Sequence, residues 1–294
     1  MSIVLPARVV RSRRDQGESK VALTEGWKAS AVGANADARD FSVKDRVVVV
    51  TGAGQGIGRE VAHQFAAAGA IAVIADVSAS SAKSVAAEIE AAGGRTMAVV
   101  VDVAEDASVD SMVHAVQNPF KRIDVLVNNA SLFSNLAKRA FDEIPLSEWR
   151  RVMDVNVTGS FLCARAVAPL MREQGFGRII NVSSDSVHRG TRNYLHYVTS
   201  KSALIGMTNS LARELGPHGV TVNCIRPGTV ETEVEERMAN FTAEVRQRNI
   251  DLQCIPRTVV PSDLAGLMIF LATPAASFIT GQTIACDGGY THSF

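Results

Sequence analysis

Tyr197 stands four residues before Lys201 in the stretch YVTSK, in a chain with only three tyrosines. On a helix, residues four apart share a face, so a phenol and an ammonium at this spacing can reach one another. An isolated pair of this kind is ordinary helix surface. A phenol held beside a cation is different chemistry. Free tyrosine, with a pKa of about 10, is a poor base at neutral pH, and a neighbouring ammonium favours the phenolate. A hydroxyl close by would complete an acid–base site, and the stretch SSDS offers Ser183, Ser184 and Ser186. Tyr194 competes for the phenol's role, but only Tyr197 has a lysine four residues on.

A second constellation lies in VVVVTGAGQGIGREVAHQF, residues 47–65. Gly52, Gly56 and Gly58 can supply positive φ, close backbone approach to a phosphate, and tight packing of helix on strand. Gln55 and Ile57 complete the turn, and a helix opening at Ile57 would aim free N–H groups and its positive end at a pyrophosphate. A glycine cluster alone is a weak signal. This one follows a strand, opens a helix and sits in a strand–helix–strand unit, the context that a dinucleotide site needs. Asp76 closes the next strand, 18 residues after Gly58. A carboxylate there can accept both hydroxyls of an adenosine ribose and would repel a 2′-phosphate. No Arg or Lys follows in ADVSAS, and Arg59, the nearest competitor, lies within the helix. NAD is therefore favoured over NADP. Ser78 is better placed than Asp76 to cap the helix that follows.

The elements that must position these residues are legible in the apolar pattern. Candidate strands are 46–50, 71–75, 97–101, 123–127, 178–182, 220–225 and 283–286, and helical stretches lie near 57–68, 79–92, 106–117, 147–174, 197–215 and 262–272. Continuous apolar strands alternating with amphipathic helices describe a parallel sheet covered on both faces. The expectation is one doubly wound α/β domain over residues 44–294. Its insertion at about 229–257 has a helical but poorly bounded pattern. Residues 1–43, small, charged and without sustained periodicity, read as a flexible extension.

Lys+Arg and Asp+Glu both number 30, which points away from nucleic acid or an anionic membrane as the main partner. The cysteines, Cys163, Cys224, Cys254 and Cys286, are scattered, so neither a disulfide framework nor a metal site is expected. No apolar run approaches the roughly 18 residues of a membrane span, and the first residues lack the order of a secretory signal. The cytoplasm follows as the expected compartment.

With TGAGQGIG (51–58), NNAS (128–131), Asn156, Ser184 and YVTSK in this order, the chain resembles the short-chain dehydrogenase/reductase family from about residue 44 to the end. The resemblance implies a Rossmann-like sheet of seven strands, a dinucleotide cofactor, and a tetramer or dimer. It implies that Asp102 and Val103 flank the adenine, and that Asn128 and Ala130 line the cofactor. In RPGTVET (226–232), Pro227 and Gly228 cover the nicotinamide, Val230 holds its carboxamide through the backbone, and Thr232 approaches the cofactor. Tyr197 and Lys201 also face it. The catalytic serine, 13 residues before the tyrosine, is Ser184. Asn156 corresponds to the residue that holds a water beside the lysine in a proton relay. Ser131 departs from the family's usual glycine.

The reaction so implied moves a hydride between a secondary alcohol or ketone and NAD(H). Some stretches look most like NAD-dependent secondary-alcohol dehydrogenases of the 1-phenylethanol type. Reduction of 3-oxoacyl groups on a carrier protein, or oxidation of sugars and polyols, is the alternative. The substrate pocket is expected to draw on residues 131–141, 185–195 and 229–257. Its apolar lining would come from Leu132, Phe133, Val187, Leu195, Phe241 and Ile255. His188, Arg189 and His196 are the polar candidates, although helical geometry turns His196 about 100° from Tyr197.

Overall fold

The computed structural model describes residues 40–234 and 242–292. The extension expected over residues 1–43 therefore lies outside the described residues up to position 39, and so does Phe241. Residues 40–43 are in contact with the body of the fold. Val43 is fully buried, Phe41 stacks on Phe270, and the Asp40 carbonyl accepts the Ala275 N–H at 3.0 Å.

Seven parallel strands form one sheet in the order β3-β2-β1-β4-β5-β6-β7. They are β1 (Val47–Thr51), β2 (Ile71–Asp76), β3 (Arg95–Val100), β4 (Val125–Asn128), β5 (Gly177–Val182), β6 (Val220–Pro227) and β7 (Thr283–Cys286). The helices are α1 (Gly56–Ala67), α2 (Ala79–Ala91), α3 (Asp106–Phe120), α4 (Leu146–Met153), α5 (Gly159–Gln174), α6 (Ser186–Arg189), α7 (Leu195–Leu215), α8 (Ala243–Asp251) and α9 (Pro261–Ala272).

The continuous apolar strands are explained by burial on both faces. Successive strand residues point to opposite sides: Val48 and Val50 pack with α1, α2 and α9, whereas Val47 and Val49 pack with α3, α5 and α7. Below the sheet, the buried Asp124 carboxylate accepts the Val47 N–H at 2.9 Å and pairs with Arg46 and Arg122. This ties the starts of β1 and β4 together.

One expected helix differs. The stretch 147–174 is two α-helices joined by a π-helical turn, Asp154–Thr158. Such turns insert a residue into the ladder and often mark functional sites. This one carries Asn156. Within the 229–257 insertion, α8 is N-capped by Thr242, whose hydroxyl accepts the Val245 N–H.

Strand order reverses at β1, with β2 on one side and β4 on the other. In open parallel sheets a crevice opens there, at the carboxyl ends of the strands. The residues singled out from the sequence lie at or just beyond those ends.

Candidate active site

Two adjoining cavities occupy this edge. The first, of about 370 Å³, is lined by Gly52, Gln55, Gly56, Ile57, Asp76, Asp102, Val103, Ala130 and Thr232, among others. These are nine of the positions expected to hold a cofactor. The glycine turn is cut to a shape that side chains would fill. A Cβ on Gly58 would lie 2.3 Å from the Gly52 carbonyl oxygen, and one on Gly52 would lie 2.8 Å from the Ala130 Cα. Gly52 and Gly56 both take positive φ, at 62° and 58°. The Gly56 N–H, at the start of α1, donates to the Glu233 carboxylate at 2.8 Å. An anion thus already sits on this N–H, so the turn fits a phosphate. Asp76 is fixed at the groove's rim: its carboxylate accepts the Gly54 N–H at 2.8 Å and the Ser78 N–H at 2.9 Å. Arg59, the expected competitor, is engaged elsewhere, with its guanidinium on Glu88 at 2.8 Å.

Two of the expected cofactor positions support the groove without lining it. Gly58 lets α1 close on the turn. Asn128, almost fully buried, donates to Asn181 Oδ1 at 2.9 Å and to the Ser160 carbonyl at 3.3 Å, tying β4 to β5 and α5. Pro227, Gly228 and Val230 line the second cavity instead, with Tyr197 and Lys201.

That second cavity, of about 280 Å³, also takes in Ser131, Phe133, Lys138, Ser184, Arg189, Thr191, Tyr194 and Asn249. Ser131, Phe133, Ile57 and Asn129 line both cavities, which therefore meet at the end of β4. All three candidate serines contribute to this cavity's wall, but they differ in burial and in what their hydroxyls do. Ser183 spends its hydroxyl on the Lys201 carbonyl at 2.8 Å, beneath the surface. Ser186 is buried in the first turn of α6. Ser184 is half-exposed at the cavity wall and accepts the Ser186 N–H at 3.2 Å.

Tyr197 and Lys201 lie one turn apart on α7, both buried. The Lys201 Nζ donates to the Val182 carbonyl at 2.8 Å and lies 5.8 Å from the centre of the Tyr197 ring. Burial lowers the Lys201 ammonium to a pKa of about 8. Desolvation disfavours the charged form, so the cation is present at neutral pH and is lost as pH rises through about 8. Asn156 reaches the same turn. Its Oδ1 accepts the Leu132 N–H at 2.8 Å, and its Nδ2 donates to Ser200 Oγ at 2.9 Å. Ser200 in turn donates to the Tyr197 carbonyl at 2.7 Å. The π-turn thus binds the β4 loop to the helix that carries the phenol and the ammonium.

The substrate wall differs from the sequence expectation. Phe133 is in place, its ring 4.6 Å from that of Tyr197, and Arg189 lines the cavity. Leu132 lines the cofactor groove instead. Val187, Leu195, Ile255 and His188 line neither cavity, and Leu195 and Ile255 are exposed. His196 is fully buried, its Nε2 3.3 Å from Glu148 Oε1 without the alignment of a hydrogen bond. It lies away from the cavity, as its 100° offset requires. Tyr194, set aside on spacing, walls the cavity with its ring 5.7 Å from Phe133. Lys138, Thr191 and Asn249 were not singled out. The only signal for them was membership of the irregular stretches.

Among the described residues no group of three His, Cys, Asp or Glu could hold a metal, and no helix is long and apolar enough to cross a membrane.

Comparison with known proteins agrees with this geometry. The family model described as enoyl-(acyl carrier protein) reductase matches residues 52–291. A 3-oxoacyl-[acyl-carrier-protein] reductase of Synechocystis is 42% identical over 83% of this chain and 96% of its own. A short-chain type dehydrogenase/reductase from Mycobacterium marinum superposes with a TM-score of 0.79 at 36% identity, covering 86% of this chain and 98% of its own. A 7α-hydroxysteroid dehydrogenase, complexed with NADH and 7-oxo glycochenodeoxycholic acid, also gives 0.79, at 31% identity over 85% of this chain and 95% of its own. On these matches the chain belongs to the short-chain dehydrogenase/reductase family, oxidoreductases acting on CH–OH and keto groups.

Proposed function

We propose that this enzyme interconverts a secondary alcohol and its ketone with NAD(H), using Ser184, Tyr197, Lys201 and Asn156. The observation that carries the reading is the buried Tyr197–Lys201 pair on one face of α7, opening on the same cavity as Ser184. In the first cavity, Gly52, Gln55, Gly56 and Ile57 would hold the pyrophosphate, and Asp76 the adenosine ribose. Asp102 and Val103 would flank the adenine, while Ala130 and Thr232 would lie along the cofactor. Pro227, Gly228 and Val230 would face the nicotinamide end. When bound, the nicotinamide supplies the hydride acceptor or donor.

The chain's own residues move the proton. Tyr197 takes the carbinol proton onto its phenol oxygen as general base. Lys201 keeps an ammonium beside that oxygen and favours the phenolate. Ser184 donates to the substrate oxygen and stabilises charge that develops there. Asn156 holds the turn in register through Leu132 and Ser200. NAD is the cofactor we assign, because Asp76 is fixed at the groove's rim while Arg59 is paired with Glu88. We also assign the cytoplasm as the compartment.

A panel of secondary alcohols with NAD, followed by the absorbance of reduced nicotinamide, tests the reading. The alternative, reduction of a carrier-bound 3-oxoacyl group, is favoured by the name of the Synechocystis relative. Faster turnover of an acetoacetyl thioester with NADPH would select it.

Replacing Lys201 by Ala removes the cation beside Tyr197. Oxidation needs the phenolate, so the pH at which its rate reaches half-maximum is expected to move upward. A pH–rate profile unshifted at full activity would count against the pairing.

We further propose a homotetramer, with a dimer second. Large apolar side chains are exposed on the helices beside the site, Leu146 on α4, Phe161 on α5 and Leu195 on α7, while the edge strand β7 is only half-covered. Light scattering at micromolar protein should give a mass near four times 31.3 kDa. A monomer mass would refute both assemblies.

A further inference from the structure

The charged groups around the second cavity do not balance. Among the described residues Asp185 is the only carboxylate in its wall, and it is paired with Arg189 at 2.9 Å. Lys201 is committed to the Val182 carbonyl and to Tyr197. That leaves Lys138, which lines the cavity and has no ion pair among the described residues. Several carboxylates of nearby elements are engaged elsewhere: Glu148 lies beside Arg139 and His196, Glu231 pairs with Arg246 at 2.8 Å, and Glu233 holds the Gly56 N–H, while Asp142 and Glu143, which follow Lys138 in the chain, are exposed and line neither cavity.

The position of Lys138 is built. Leu136, two residues before it, is buried against Val152, Tyr194 and Tyr197, and its N–H donates to the Phe133 carbonyl at 3.0 Å. Arg139, one residue after it, donates its N–H to the Asn193 carbonyl at 3.1 Å. The backbone that carries Lys138 is thus pinned on both sides at the cavity wall. The Tyr194 ring lies 5.9 Å from Lys138 Nζ and 6.5 Å from the Tyr197 ring. An unbalanced cation in a cleft with low-dielectric walls concentrates anions there.

We propose that the substrate carries a carboxylate and that Lys138, rather than the groups that would act on the carbinol, recognises it. The proposal rests on the alcohol–ketone reading above and names the substrate class for that site. A cavity of about 280 Å³ is at the small end for ligand sites, which run from roughly 300 to 1,000 Å³. It suits a small keto or hydroxy acid better than a large carrier-borne chain.

The test compares 5-oxohexanoate with its methyl ester as substrates for the wild type, Lys138→Met and Lys138→Arg. Wild-type kcat/KM should favour the acid by about fivefold, the size of an ion pair on an exposed side chain such as Lys138. The ratio should fall toward one in Lys138→Met and persist in Lys138→Arg. It should also shrink with added salt, which screens exposed charges. A wild-type ratio of one, or a ratio that survives in Lys138→Met, overturns the proposal. If neither ketone reacts with either nicotinamide cofactor, the alcohol panel decides the reaction reading, and titration calorimetry of hexanoate against hexanamide decides this one. Preference for hexanoate that is lost in Lys138→Met supports it. Equal binding, or none, overturns it.

Discussion

Tyr197→Phe is expected to lower turnover by at least about 100-fold while leaving NAD affinity nearly unchanged, because the hydroxyl acts in proton transfer, a contribution of roughly 10²–10⁴-fold. The substitution keeps the ring, and with it the packing against Phe133 and Tyr194 in the small cluster that also holds Leu136 and Val152. Loss of activity would therefore report chemistry and not collapse of the cavity. Tyr194→Phe is the matched control. Its ring also walls the cavity, but no lysine lies a turn away on its face, so that variant should keep most of its activity. The checks are single-turnover rates and a cofactor titration on each variant. A Tyr197→Phe enzyme with a tenth of wild-type turnover would end the assignment.

The second large effect concerns cofactor choice. Wild-type kcat/KM should favour NAD over NADP by at least about tenfold, because a 2′-phosphate would meet the Asp76 carboxylate in a partly desolvated site. Asp76→Ala should narrow that preference, chiefly by weakening NAD. Lost hydrogen bonds to a charged acceptor cost roughly 1.5–3 kcal/mol. The carboxylate also holds the Gly54 and Ser78 N–H groups, so the variant is expected to unfold at lower temperature as well. The ratio between cofactors separates recognition from that structural loss. Adding an arginine at Val77 in the same variant should turn the preference toward NADP, since Val77 is exposed and lines the groove. Wild-type preference for NADP would mean that Arg59 leaves Glu88 to receive the phosphate, and that the reading of the strand end was wrong.

Local rules carried most of the fold. The strands were legible because a doubly covered parallel sheet demands apolar residues at every position, and β1, VVVVT, meets that demand without interruption. The Tyr197–Lys201 pair on one face of α7 was legible because α-helical spacing is rigid, and the glycine turn because close contacts at Gly52 and Gly58 and positive φ at Gly52 and Gly56 call for glycine. What failed depended on tertiary placement. The π-turn at Asp154–Thr158 has no periodic signature, so 147–174 read as one helix. Leu195 and Ile255 are apolar and close in sequence to the site, yet they face outward, since hydrophobicity does not say which way a residue at an element's start or in a loop points. Tyr194 was judged by its lack of a lysine partner, which says nothing about its packing. Lys138 sits in a loop whose direction is set by Leu136 and Arg139, contacts that no spacing rule encodes.

The central claim is that the second cavity performs alcohol–ketone chemistry with NAD through the Tyr197–Lys201 pair. The most direct measurement is the absorbance of reduced nicotinamide when the purified wild-type protein meets NAD and a panel of secondary alcohols, run beside Tyr197→Phe. The account predicts that the band grows with at least one alcohol for the wild type and stays near baseline for the variant. Equal growth in both, or none in a wild-type protein shown to be folded and to bind NAD, would contradict it.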